Sequence, residues 1–100
     1  MAVVMSLRWN GRTPEQYNAV RDRVRWEEQT PEGLVLHAAW FEGDGLHVTD
    51  VWETEEQWER FLAERLVPAF KDLGFTDEPD FHFSPLHRRL IGPAASGAAS

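Results

Sequence analysis

Along this chain, apolar runs with a period of two alternate with runs of helical period, and their order predicts strand, helix, strand, strand, helix, strand. Ala2 to Trp9 is apolar and β-branched, as a strand requires, and Asn10-Gly11-Arg12 breaks it. Thr13 before Pro14 starts a helix: the hydroxyl satisfies a free N–H, and proline fits the first turn, where its missing donor costs nothing. Gln16, three residues after Thr13, fits a capping box. Tyr17, Val20 and Val24 form the inward stripe, continuing toward Glu27 or Glu28, and Arg21, Arg23 and Arg25 share the opposite side. Trp26 falls late in this helix, which ends at Gln29-Thr30-Pro31-Glu32-Gly33.

Leu34 to Phe41 and Leu46 to Glu53 are β runs on either side of Gly43-Asp44-Gly45, a hairpin signal. Thr54 caps a second helix whose acidic first turn, Glu55 and Glu56, suits the helix dipole. Its inward stripe is Trp58, Phe61, Leu62, Leu66 and Phe70, and Pro68 should interrupt it near Leu66-Val67. Gly74 ends the helix, and after a loop from Phe75 to Asp80 a last strand should run from Phe81 to about Ile91. The plan is α+β: a single ferredoxin-like βαββαβ domain over residues 1–91, with a four-stranded antiparallel sheet. The small-residue stretch 92–100 is expected to be a flexible tail.

Two helices cover one face of such a sheet, and a wet second face would alternate apolar with polar residues. Here both parities are apolar: Val3, Met5 and Leu7 beside Val4, and Leu34, Leu36 and Trp40 beside Val35, Ala39 and Phe41. Something must cover the second face, and a second copy of the chain, sheet against sheet, is the economical answer; a different partner is the alternative.

Composition narrows the partners. With 10 Lys and Arg against 17 Asp and Glu, the net charge is -7, and no basic stripe exists for a nucleic-acid backbone. There is no cysteine, which removes disulfides, thiolate metal sites and thiol catalysis. The first residues lack the basic region and long apolar core of a signal peptide, and no segment approaches the ~20 apolar residues that span a bilayer. A cytoplasmic location without nucleic acid or membrane is the expectation.

An even-length hairpin loop, of two or four residues, pairs Phe41 with Leu46 and therefore sets His37 opposite Asp50, with Cβ atoms ~5 Å apart on one face. That face should also carry Val35, Ala39, Phe41, Val48 and Trp52. An imidazole oriented by a carboxylate inside an apolar surround is either a general base with its orienter or a satisfied polar pair that fixes register. His47 falls on the other parity with Trp40, Thr49 and Val51, which suits an interface residue. His82 and His87 fall on opposite parities of the last strand, and no histidine pair has metal-ligand spacing, so no metal is expected. Of the 5 tryptophans, most read as core or interface bulk; Trp52 and Trp58 flank the place where sheet and second helix part. Tyr17 points inward and either offers its hydroxyl to that gap or is a satisfied core residue.

The stretch from Pro31 to Phe70 (strand, Gly-rich hairpin, strand ending in Val51-Trp52-Glu53, capping Thr54, aromatic-rich helix) resembles the dimeric α+β barrel superfamily, near its antibiotic biosynthesis monooxygenase-like group. As topology the resemblance extends over residues 2–91. It implies a slot between sheet and helices that holds a small hydrophobic or aromatic ligand, walled by Tyr17, Trp52, Trp58 and Phe61. Haem degradation in that superfamily needs a first-strand Asn and a His late in the second helix. Here Asn10 follows the expected strand and residues 54–73 contain no His. The resemblance implies a cofactor-independent oxygenase of aromatic or polyketide-type substrates, with His37 as base and Asp50 as its orienter. Two alternatives use the same slot: an aldol-type polyketide cyclase, whose catalytic His has no counterpart at Leu66-Val67-Pro68-Ala69-Phe70, and a non-catalytic binding protein.

Overall fold

The computed structural model describes residues 1–95 and 97–100. Its elements are β1 (Val3–Asn10), α1 (Pro14–Val24), β2 (Leu34–Glu42), β3 (Gly45–Trp52), α2 (Glu55–Phe61), a π-helical turn (Leu62–Leu66), α3 (Val67–Asp72) and β4 (Asp80–Pro85). The four strands form one antiparallel sheet in the order β2-β3-β1-β4, with the helices on one face. This is the ferredoxin-like α+β arrangement. Met5, Trp52 and Trp58 are sealed between sheet and helices at 0%, 1% and 2% exposure. Among the described residues, no helix is long and apolar enough to cross a membrane.

The caps form as the local sequence requires. Thr13 Oγ1 accepts from the Gln16 N–H at 3.2 Å, and Gln16 Oε1 accepts from the Thr13 N–H at 3.0 Å. Pro68 has no N–H for the Glu64 carbonyl and its ring crowds that oxygen, so the helix widens just before it. The Val67 N–H reaches back to Leu62, one residue further than in an α-helix. Gly74, at φ 80°, then lets the Phe75 N–H close on the Phe70 carbonyl at 2.9 Å.

Several boundaries differ from the sequence expectation. α1 stops at Val24 because Arg25 adopts the left-handed conformation, φ 62°, so Trp26 lies in the turn after the helix. A continuing helix would carry Trp26 some 200° round from Val24, toward solvent; the break brings the indole back over the sheet. β1 includes Asn10, paired with Gly45 and exposed. β4 ends at Pro85, the partner of Val3, instead of Ile91, and one further backbone bond joins the Leu86 N–H to the Ala2 carbonyl at 3.0 Å. His87 therefore lies outside the strand, and Leu90 and Ile91 are exposed. A bulge falls between Leu34 and Leu36, with Leu34 opposite Trp52 and Leu36 opposite Val51. Leu34, not Val35, thus joins the covered face. The expected tail includes Ser96, which lies outside the described residues.

Candidate functional site

The hairpin loop is the two residues Gly43 and Asp44, between the paired Glu42 and Gly45. With an even loop, His37 pairs with Asp50 across β2 and β3. Their side chains meet: His37 Nδ1 is 2.7 Å from Asp50 Oδ1. The second carboxylate oxygen, Oδ2, accepts the Trp52 indole N–H at 3.0 Å. Asp50 is 3% exposed, the one buried acidic or basic residue among those described, and both its oxygens are engaged.

On the far side of the imidazole, His37 Nε2 is 2.7 Å from the Tyr17 hydroxyl. The ordering that gives every donor an acceptor runs in one direction. Tyr17 O–H donates to Nε2, and Nδ1–H donates to Asp50. Burial pushes the Tyr17 phenol up to about 12, with the carboxylates of Glu27 and Asp50 adding to the effect and Arg21 opposing it. Tyr17 is thus held as a neutral donor. Its ring lies parallel to the imidazole at 3°, and Trp26 packs edge-on against both rings, 5.5 Å from Tyr17 and 5.6 Å from His37.

This chain of groups borders a cavity of about 80 Å³ between sheet and helices. All six residues singled out in the sequence, His37, Asp50, Tyr17, Trp52, Trp58 and Phe61, lie in its wall. Trp52 contacts Trp58 and Phe61 at 5.8 and 5.7 Å between ring centres, so these aromatics are core packing and cavity wall at once. The Trp58 indole N–H is buried without a partner. The slot is smaller than the pockets of roughly 300–1,000 Å³ that take drug-sized ligands.

The fold can be set beside solved structures. SnoaB, a cofactor-independent oxygenase from Streptomyces nogalater, superposes with a TM-score of 0.64 at 20% identity, over 91% of this chain and 98% of that one. A protein of unknown function from Nitrosomonas europaea gives 0.63 at 15% identity, over 93% and 96%. The monooxygenase ActVA-Orf6 of Streptomyces coelicolor, in complex with the ligand nanaomycin D, gives 0.55 at 14%, over 91% of each chain. This chain has the antibiotic biosynthesis monooxygenase fold. No protein-family model and no curated protein matches the sequence.

Within that antibiotic biosynthesis monooxygenase fold, the sequence reading missed Trp26, Arg12 and Leu34, which also line the cavity. Helical periodicity put Trp26 in α1, and nothing near Arg25 signals the break. The other histidines stand apart from the site. His47 bonds Asp44 Oδ1 at 2.8 Å and stacks on Trp40 on the uncovered face of the sheet, and His82 pairs with Ser6 there. Among the described residues, no group of three or more His, Asp or Glu side chains is placed to hold a metal ion.

Proposed function

We propose that this chain is a cofactor-independent oxygenase acting on a small aromatic substrate with an acidic C–H or O–H, and that Tyr17, His37 and Asp50 move the proton. The observation that carries the reading is the unbroken chain Tyr17–His37–Asp50, which ends at an apolar cavity. The similarity of fold to SnoaB and ActVA-Orf6 supports it by analogy. Tyr17 takes the substrate's proton as it passes its own to His37 Nε2, and Asp50 stabilises the imidazolium that forms. The resulting carbanion gives one electron to O₂, and the two radicals combine at carbon as a peroxide. The imidazolium returns its proton to the peroxide through Tyr17. Loss of the second C–H proton then breaks the O–O bond and releases water, so that a CH₂ group and O₂ become C=O and H₂O.

The protein's contribution is an apolar slot, a base and donors for the substrate's oxygen. The unpaired Trp58 N–H is one such donor. Because an engineered apolar cavity of about 150 Å³ is what holds benzene, a ring enters this slot only when its aromatic walls shift outward, with the Tyr17–His37 hydrogen bond kept. The chain also pairs with a second copy through the uncovered face of the sheet, where Leu36 and Trp40 are 50% and 41% exposed. Oxygen uptake with anthrone- and naphthol-type compounds, wild type beside His37→Ala, tests the activity. Product without oxygen uptake would indicate cyclisation, and ligand binding without turnover a non-catalytic protein.

A further inference from the structure

At the other end of the cavity sits a cation that the proposed proton chain does not use. The Arg12 guanidinium lies 4.4 Å from the Trp9 ring centre and 4.0 Å from that of Phe75, held between two aromatic walls. Its Nη2 pairs with Asp77, which also accepts the Trp9 indole N–H at 2.9 Å. Arg12 lines the cavity, its side chain is 12% exposed, and its Nε–H is buried with no acceptor. An unpaired buried donor on a charged group is costly unless something fills the place. A purely structural clamp of the 75–80 loop onto β1 would account for Asp77 and the rings. It leaves the Nε–H unexplained.

We propose that Arg12 recognises an oxyanion, a carboxylate on an aromatic ligand, at the end of the cavity away from His37. This rests on the oxygenase reading of the same site and adds the substrate class to it. Asp50 pairs with Met5 and Leu46 with Trp9, so the two ends of the slot are four residues apart along β1, roughly 13 Å at strand rise. Asp50 repels an anion at one end, and Arg12 attracts it at the other. Asp77 offsets only part of that attraction, because it engages Nη2 from a half-exposed position and leaves the Arg12 Nε–H without an acceptor. A ligand with its carboxylate on Arg12 therefore presents its opposite, uncharged end to Tyr17 and His37.

The test compares two probes of nearly equal shape, naphthoate and acetylnaphthalene, titrated calorimetrically into wild type, Arg12→Met and Asp77→Asn. Wild type should prefer naphthoate by about tenfold, the margin of a charge-assisted over a neutral hydrogen bond. Arg12→Met should abolish the preference. Asp77→Asn removes the competing charge and keeps one acceptor oxygen, enough for the Trp9 indole N–H, so naphthoate should bind severalfold tighter and acetylnaphthalene unchanged; a variant that merely unfolds would weaken both. Equal affinities in wild type, no binding of naphthoate, or a preference that survives Arg12→Met would overturn the proposal. Oxygen uptake measured separately with anthrone-type compounds, because neither naphthalene probe carries the acidic CH₂ or phenolic O–H that the oxygenase reading needs, keeps the two readings apart. Selectivity without turnover contradicts the oxygenase alone, and turnover without selectivity contradicts Arg12 alone.

Discussion

The Tyr17 hydroxyl lies 2.7 Å from His37 Nε2 and occupies the one lone pair through which that imidazole, bonded to Asp50 by its other nitrogen, can take a proton. Any base chemistry by His37 therefore runs through Tyr17. Tyr17→Phe keeps the ring and removes the relay, so turnover should fall by roughly 10²-fold, the lower range for loss of a general acid–base group. The lost neutral hydrogen bond should cost about 1 kcal/mol of stability. Steady-state rates beside an unfolding curve check both. A rate equal to or above wild type would place His37 directly against the substrate.

Tyr17 is the only tyrosine, so its titration can be followed without assignment. The folded phenol is raised from 10.0 to about 12, first by burial and then by Glu27 and Asp50. A raised folded value means that the native state keeps a proton the unfolded chain has lost. Its contribution to stability is complete below the unfolded value and is lost as pH rises through the window between the two. Tyrosinate absorbance should appear near pH 12 in the native protein and near 10 in urea. Asp50→Asn should lower the native value by removing one of the carboxylates that raise it. Native titration near 10 would contradict the buried placement of the hydroxyl.

Asp50 satisfies two buried donors at once. Asp50→Ala leaves both His37 Nδ1 and Trp52 Nε1 without their acceptor and should cost about 2–5 kcal/mol. Trp52→Phe strands only one carboxylate oxygen and should lose about 1–3 kcal/mol through that bond, besides the packing of the larger ring. Urea midpoints at unchanged m-value measure both losses. A neutral Asp50→Ala would mean that the carboxylate is not the keystone of the covered face.

Much of this was legible in local sequence. Thr13-Pro14, the Gly43-Asp44 loop and Pro68 each act within a few residues, and each does in the fold what its chemistry requires. The pairing of His37 with Asp50 needed only the loop's even length. What escaped depended on distant partners. The bulge at Val35 follows Gly33, whose φ is 91° and where a Cβ would stand 2.0 Å from Gln57 Oε1, so the entry into β2 is set by a helix twenty residues on. β4 stops at Pro85, the partner of Val3 at the far end of β1, a limit set by a strand about eighty residues earlier. Trp26 reaches His37 only because Arg25, a residue with no preference for positive φ, reverses the chain. The narrowness of the slot is likewise a property of packed rings and not of any segment.

The uncovered sheet face carries Leu36 and the stacked pair of Trp40 and His47. If a second copy covers it, sedimentation should give a dimer for wild type and a monomer for Leu36→Asp/Trp40→Glu, with circular dichroism unchanged. A monomeric wild type at tens of micromolar would remove the dimer from the account.

Oxygen uptake tests the central claim most directly. With an anthrone-type compound, wild type should consume one O₂ for each CH₂ converted to C=O, and His37→Ala should lose about 10²-fold or more of that rate. A His37→Ala variant as fast as wild type, or a wild type no faster than autoxidation across the whole panel, would contradict it.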